Sequence, residues 1–113
     1  MSLRDKLLSL LDRVSPDLLK RYVDTDTSLV DLLDSYLTSP PLRRLVAAQL
    51  RAHWGKVEPL LTDATRAREE IARRKPELRD LLYNDEKTIR WLNRQVEELY
   101  RYLYRLAWQE KAE

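Results

Sequence analysis

Apolar residues recur along this chain at the three- and four-residue intervals of α-helices, and nowhere do they alternate over the length of a strand. The clearest example is a stripe near the C-terminus, made of Ile89, Leu92, Val96, Leu99, Leu103 and Leu106. This spacing predicts a long helix with one buried face, beginning after Asn84-Asp85 and ending near residue 110. The buried face packs either against the chain's own helices, which we expect, or against a second subunit.

Serine residues divide the N-terminal part of the chain into short helices, because serine is a strong N-cap residue. Ser2 is expected to cap a helix over residues 2–14, Ser15 a helix to about residue 23, and Ser28 a helix to about residue 37. The polar stretch 24–27 is predicted to be a loop. The third helix contains two aspartates and no lysine or arginine. It would be repelled by the groove of DNA and suits docking on a protein better.

Proline and glycine set the expected boundaries in the middle of the chain. Pro40-Pro41 should open a fourth helix that ends at Trp54, with Gly55 as its C-cap, and Pro59 a fifth that Pro76 interrupts after Lys75. The residues of the fourth helix expected to face inward are Leu42, Leu45, Val46, Gln49, Leu50 and Trp54. Those expected to face outward are Arg43, Arg44, Ala47 and Arg51.

Together these elements predict an all-α, compact multi-helix bundle of about six to seven helices, with short N-terminal helices and a long amphipathic C-terminal helix. The 113 residues fit a single domain, residues 1–113, and one glycine leaves little for tight hairpins. Within that domain, residues 1–40 form an acidic lobe with seven aspartates against five lysines and arginines, and residues 41–113 form a basic one. The net charge of +2 is too small for a strongly basic nucleic-acid binder.

The chain lacks the residues that common catalytic sites require. It has one histidine, His53, one glycine and no cysteine. These counts exclude a phosphate-binding glycine loop, a dinucleotide-binding fingerprint and Cys-His catalysis. Carboxylate pairs such as Asp31 with Asp34 are explained by helix capping and loop solvation. We therefore predict no enzyme activity, no metal or other cofactor, and no small-molecule substrate.

Cations form a row along the outer side of the last helix. At ~100° per residue, five side chains fall in a sector about 60° wide and roughly 27 Å long. They are Lys87, Arg90, Arg94, Arg101 and Arg105. A second group, Arg73, Arg74 and Lys75, precedes Pro76. Both groups are candidate contacts for a nucleic-acid backbone.

The alternative for both groups is a solvated surface held by ion pairs. Glu86–Arg90 and Glu97–Arg101 would pair in the row, and Glu69–Arg73 and Arg66–Glu70 near the second group.

The last helix also carries more aromatic residues than its apolar stripe can bury. Trp91, Tyr102, Tyr104 and Trp108 point away from the centre of the stripe. They either cover neighbouring helices or remain exposed as anchors of a protein interface, where tryptophan, tyrosine and arginine are enriched.

These patterns favour a non-catalytic helical subunit or interaction module of a larger assembly, with the cation row contacting nucleic-acid backbone. The alternative is a protein–protein adaptor or homodimerising domain with no nucleic-acid role. No apolar run approaches the ~20 residues that span a bilayer, and the N-terminus lacks the apolar core of a signal peptide. We expect a cytoplasmic protein. The excess of arginine over lysine is compatible with a thermophilic source and also with an effect of genomic base composition.

Overall fold

A computed structural model describes residues 9 and 11–109, and the chain is helical through most of them. From residue 16 to residue 109 there are six α-helices, α1 (Pro16–Asp24), α2 (Leu29–Tyr36), α3 (Pro40–Thr62), α4 (Ala64–Arg74), α5 (Arg79–Asn84) and α6 (Glu86–Gln109), with a 3-10 turn at Pro76–Leu78. The described residues contain no strand. The all-α class and the long C-terminal helix are thus confirmed. Most of the helix predicted over 2–14 lies outside the described residues. Within that range, Ser9, Leu11 and Asp12 are described and helical.

Two of the predicted serine caps form the expected hydrogen bonds. Ser15 Oγ accepts from the Leu18 N–H at 3.1 Å, and Ser28 Oγ accepts from the Asp31 N–H at 3.2 Å. Each bond satisfies one of the free N–H groups in the first turn of a helix. Ser39 also occupies an N-cap position, in front of α3, but its side chain makes no capping bond.

The loop predicted over 24–27 lies at residues 25–28, between the end of α1 at Asp24 and the start of α2 at Leu29, and it contains no glycine. Asp26 adopts the left-handed conformation with φ of 51°, and the Thr27 N–H donates to the Tyr22 carbonyl at 2.9 Å. This 6→1 bond is the mark of a Schellman C-cap, in which aspartate tolerates the positive φ better than most non-glycine residues. The turn therefore ends α1 through backbone bonds.

The predicted break near Gly55 lies within two residues of an observed one. Helix α3 consists of two helical segments joined at a kink, where His53 has φ of −118° and ψ of 17°. Gly55 itself is helical and forms no C-cap, and Pro59 lies inside the second segment, where it cannot donate to the Gly55 carbonyl. A second break, which the sequence did not predict, falls at Asp63, whose Oδ1 accepts from the Thr65 N–H at 2.9 Å and so caps α4.

The end of α4 follows the prediction, because Pro76 begins the 3-10 turn and α4 stops at Arg74. The start of α6 does so as well. The Asp85 carboxylate accepts from the Thr88 N–H at 3.2 Å, and the hydroxyl of Thr88 donates to the same oxygen. The hydroxyl bond, which is the larger cause, and the backbone bond hold the pKa of Asp85 below its ordinary value.

The chain divides into two compact units of discontinuous sequence. Unit 1 comprises the described residues of Met1–Thr27 together with Arg68–Trp91, and unit 2 comprises Ser28–Ala67 together with the described residues of Leu92–Glu113. Helices α4 and α6 each contribute to both units. Both units therefore draw on the predicted acidic lobe and on the predicted basic lobe.

The core of unit 2 lies where α3 meets α6 and the end of α2. Leu37, Ala47 and Leu106 are buried at its centre, and partly buried apolar residues pack around them: Leu33, Leu42, Val46, Leu50, Tyr102 and Leu103. The predicted inward positions Leu42, Val46 and Leu50 are confirmed. Leu45, also predicted inward, is 52% exposed, and Gln49 is exposed too.

The outward assignment of Ala47 is wrong, since only 1% of Ala47 is accessible. Ala47 lies between Arg43 and Arg51, one turn away on either side, and these arginines face the same neighbours. Arg51 donates to the Ala107 carbonyl at 2.6 Å, and Arg43 donates to the Leu37 carbonyl at 3.1 Å. The two arginines led to the prediction that this side of α3 faces solvent. Their guanidinium groups instead donate to carbonyl groups at the ends of other helices.

The apolar stripe of α6 is buried by the chain itself, as expected, with Leu92, Val96 and Leu106 at or below 5% exposure. Polar Gln95 is buried beside it at 2%. Its Oε1 accepts from the Leu29 N–H at 2.8 Å, at the first turn of α2. None of the helices in the described residues is long and apolar enough to cross a membrane.

Candidate contact surface

Four aromatic side chains stack along one side of unit 2. Tyr100, Tyr104 and Trp108 follow each other at four-residue intervals on α6, and Trp54 joins them from α3. Ring centroids are 6.2 Å apart for Tyr100–Tyr104 and 6.5 Å for Tyr104–Trp108, while Trp54 lies 6.0 Å from Tyr100 and 5.9 Å from Tyr104. We call these residues the aromatic ladder. The separations are within the range of favourable aromatic pairing.

Glu58 fixes the inner end of the aromatic ladder. The indole Nε1 of Trp54 donates to Glu58 Oε2 at 3.1 Å, and the Tyr100 hydroxyl donates to the same oxygen at 3.2 Å. Burial, followed by this bond to a carboxylate, raises the pKa of Tyr100 above its ordinary value of 10.0. Both polar groups of the inner rings therefore have a partner within the chain.

The outer end of the aromatic ladder is open to solvent and flanked by cations. Tyr104 is 44% exposed and Trp108 is 48% exposed. Arg101 and Arg105 are exposed beside them, and the four side chains occupy a sector of α6 about 100° wide. We call Arg101, Tyr104, Arg105 and Trp108 the α6 face. It combines two arginines with two large aromatic groups on one rigid helix.

The cations of the α6 face differ in their partners. Arg101 pairs with Glu97 at 2.6 Å, which confirms one of the ion pairs predicted for the row. Arg105 makes no ion pair with any residue that the structure describes. At least one positive charge of the α6 face therefore has no ion-pair partner among the described residues.

The two other predicted interface aromatics are held inside the chain. Trp91 belongs to unit 1, is 5% exposed, and donates its Nε1 hydrogen to the Thr27 carbonyl at 2.9 Å. A tryptophan so enclosed cannot anchor an interface of the folded chain, so Trp91 leaves the candidate surface. The reason is local: the loop after α1 supplies an acceptor for the indole N–H.

Tyr102 instead ties α6 to α2. Its hydroxyl donates to Asp34 Oδ1 at 2.8 Å, and Arg43 donates to the same oxygen at 3.1 Å. The tyrosine bond, and after it the arginine bond, hold the pKa of Asp34 below its ordinary value of 3.8. Burial and the contact with Asp34 raise the pKa of Tyr102. This half-buried network accounts for the position of Tyr102 without a partner protein.

The five cations predicted to form a row on α6 are all exposed: Lys87, Arg90, Arg94, Arg101 and Arg105. Lys87 and Arg90 belong to unit 1 and the other three to unit 2. The Lys87 ammonium lies 3.3 Å from Asp24 Oδ1. The predicted Glu86–Arg90 pair does not form, and Arg90 has no ion pair among the described residues.

The second predicted cation group is largely compensated within unit 1. Arg73 and Arg74 both bind Glu70, the former at 2.5 Å and the latter at 3.1 Å, in place of the predicted Glu69–Arg73 and Arg66–Glu70 pairs. The Arg73 bond is the main cause that lowers the pKa of Glu70. Lys75 donates to the Asp12 carbonyl at 2.9 Å and lies 3.5 Å from Glu77. Little positive charge is left here for a ligand.

His53 is exposed at the kink of α3. Throughout the described part of the chain, no three His, Asp or Glu side chains are grouped so as to hold a metal ion.

The outer residues of the aromatic ladder were predictable from the sequence, and the contact of its inner end with α3 was not. Tyr104 and Trp108 were singled out as residues outside the apolar stripe, and the four-residue spacing with Tyr100 was a readable sign of stacking. Trp54 and Glu58 come from another helix, α3, and both lie after its kink at His53. Nothing in the local pattern indicated that contact.

Compared with protein-family models, with curated proteins and with solved structures, the chain matches none.

Proposed function

We propose that this chain is a non-catalytic helical interaction module of a larger assembly and that the α6 face is its contact surface. One observation carries the proposal: Tyr104 and Trp108 remain about half exposed although each ring contacts another ring of the aromatic ladder. Exposed tryptophan, tyrosine and arginine clustered on one surface have the composition of binding hot spots.

Preorganisation supports the same proposal. The aromatic ladder is fixed at its inner end by the bonds of Trp54 and Tyr100 to Glu58, so the outer rings lie on a rigid support. A partner that covers Tyr104 and Trp108 then loses little conformational entropy on the side of this chain. Arg101 and Arg105 at the rim favour a partner that offers carboxylates.

The absence of catalysis and a cytoplasmic location belong to this proposal. They are supported by the single histidine, the single glycine and the cysteine-free sequence.

The test is co-purification of partners with the tagged full-length chain from its native cells. We expect the Tyr104→Ala/Trp108→Ala variant to lose a specific partner at least tenfold. Tyr83→Ala is the matched control, since Tyr83 is exposed to a similar degree, 38%, but lies in unit 1. Circular dichroism confirms that the variants remain helical. If the double variant retains every partner at the wild-type level, the α6 face is not the contact surface.

Nucleic-acid backbone is the second candidate ligand. The observation in its favour is that Arg94, Arg101 and Arg105 are exposed on the same helix as two exposed aromatic rings, a combination used to bind single strands. It ranks second because Glu97 compensates Arg101 and Asp24 compensates Lys87.

Titration of single-stranded RNA and DNA over a range of salt concentrations tests this candidate. Affinity should fall as salt rises, and the Arg94→Glu/Arg101→Glu variant should bind at least tenfold more weakly. Lack of binding at low salt, or binding that the variant leaves unchanged, contradicts it.

A further inference from the structure

Helix α2 presents a second exposed apolar surface within unit 2. Tyr36 is 66% exposed and Leu32, one turn earlier, is 37% exposed. Asp31 and Ser35 are exposed on the adjoining side of the helix. We call Asp31, Leu32, Ser35 and Tyr36 the α2 face. Since α2 contains no lysine or arginine, this face is acidic where the α6 face is basic.

The charges of the two faces show which pairing between copies is favourable. A contact between two α6 faces would bring the arginines of both copies, Arg101 and Arg105, into one small patch. A contact between two α2 faces would bring both copies of Asp31 into one small patch. Both arrangements place like charges together at an apolar contact, which is unfavourable. Pairing of an α2 face with an α6 face instead joins opposite charges.

Individual residues reinforce this complementarity. Asp31 and Arg105 are each exposed and have no ion-pair partner among the described residues of their own chain. Each face also offers two large side chains one turn apart, Leu32 and Tyr36 on one and Tyr104 and Trp108 on the other. The faces thus match in charge and in the spacing of their apolar groups.

We propose that a second copy of this chain docks head to tail, with the α2 face of one copy on the α6 face of the next. This inference rests on the proposed function of the α6 face and names its partner. The rings of Tyr104 and Trp108 cover Leu32 and Tyr36 of the neighbouring copy, and Arg105 approaches its Asp31. The assembly retains one unused α2 face at one end and one unused α6 face at the other.

The size of α2 sets the expected strength. Eight residues span roughly 12 Å, so the contact is smaller than the ~1,200 Å² at which standard-size interfaces begin. Such a contact is weak and reversible. Because a head-to-tail contact does not close after two copies, it produces a series of oligomers or a ring. Salt should weaken it, since the paired charges lie at the rim.

Sedimentation velocity of the full chain, from about 10 μM to about 1 mM at low salt, is the first measurement. We expect the average mass to rise with concentration beyond that of a dimer. Tyr36→Ala and Trp108→Ala should each weaken association at least tenfold, whereas Tyr83→Ala should leave it unchanged. Circular dichroism verifies that all three variants are folded.

Mixing the two variants gives the decisive result. Tyr36→Ala retains an intact α6 face and Trp108→Ala retains an intact α2 face, so an equimolar mixture contains one competent pair of faces. We expect it to form 1:1 heterodimers and to stop there. A chain that is monomeric at every concentration overturns the inference. So does association that Tyr36→Ala leaves unchanged, or a mixture that still forms larger oligomers.

The two proposals fail in different ways. A monomeric chain whose native partner is lost in the Tyr104→Ala/Trp108→Ala variant overturns docking of a second copy and retains the α6 face as a contact surface. Self-association that Trp108→Ala does not weaken counts against both.

Discussion

The two ends of α6 use the same residue types for opposite purposes. Trp91, near its start, is buried and hydrogen-bonded to Thr27, whereas Trp108, near its end, is half exposed. The cations follow the same division, since Lys87 pairs with Asp24 and Arg105 has no ion pair among the described residues. A neighbouring loop that offers an acceptor turns an aromatic residue into core, and where none approaches, the residue remains available to a partner.

Truncation of each tryptophan would measure this difference directly. Trp91→Ala should lower the free energy of unfolding by about 3–5 kcal/mol, because it leaves a cavity and an unpaired Thr27 carbonyl. Trp108→Ala should cost about 1 kcal/mol or less, mainly through the lost ring contact with Tyr104. Urea denaturation followed by circular dichroism gives both values. Equal losses would mean that the two ends of the helix are not distinct.

Adjacent alanines on α3 provide a second contrast. Ala47 is 1% accessible and belongs to the core of unit 2, whereas Ala48 is exposed. Ala47→Leu should overpack the core and destabilise the chain by about 1–3 kcal/mol, while Ala48→Leu should change stability by about 0.5 kcal/mol or less. Thermal unfolding of the two variants would decide it. An Ala47→Leu variant as stable as wild type would instead support the outward orientation of Ala47 that the sequence predicted.

Serine caps extend the contrast to helix termini. Ser28→Ala removes the acceptor of the Asp31 N–H and should cost about 1 kcal/mol. Ser39→Ala should lower the free energy of unfolding by only about 0.3 kcal/mol or less, because the side chain of Ser39 makes no capping bond. The midpoint of urea unfolding resolves the two. Similar losses would show that the cap position matters here more than the hydrogen bond.

Acid should produce the smallest effect, through carboxylates whose pKa is lowered in the folded chain. For Asp34 the ordinary value is 3.8 and the Tyr102 bond lowers it, so below about pH 4 the unfolded chain binds protons more readily than the folded one. The stabilisation is complete at neutral pH and is lost as pH falls through the folded pKa. Melting temperature measured from pH 6 to pH 3 should fall less steeply for Asp34→Asn than for wild type. Parallel curves would contradict the Tyr102–Asp34 bond.

The parts of the fold that the sequence predicted are those decided within a few residues. Ser15 and Ser28 cap as expected, Pro76 ends α4, and the α6 stripe is buried, because each depends on local backbone chemistry or on helical periodicity. The errors lie at Asp63, a helix break that no local pattern indicated, and at Ala47. The inward side at Ala47 depends on the carbonyl groups that reach Arg43 and Arg51 from other helices.

The candidate surface divides in the same way. The positions of Tyr104 and Trp108 outside the stripe identified them as surface candidates. The same positions could not show that Trp91 and Tyr102 would be buried or half-buried instead. That depended on Thr27 and Asp34, which lie 64 and 68 residues away in the sequence.

The bond from the Leu29 N–H to Gln95 has a consequence for the order in which the chain folds. An isolated helix of eight residues is unstable in water, and in the first turn of α2 the Leu29 N–H donates to the side chain of Gln95, 66 residues away. The amide of Leu29 should therefore acquire protection from hydrogen exchange only after α6 has formed and docked. Helix α2 would be a late element of the folding pathway, set in place by the C-terminal part of the chain.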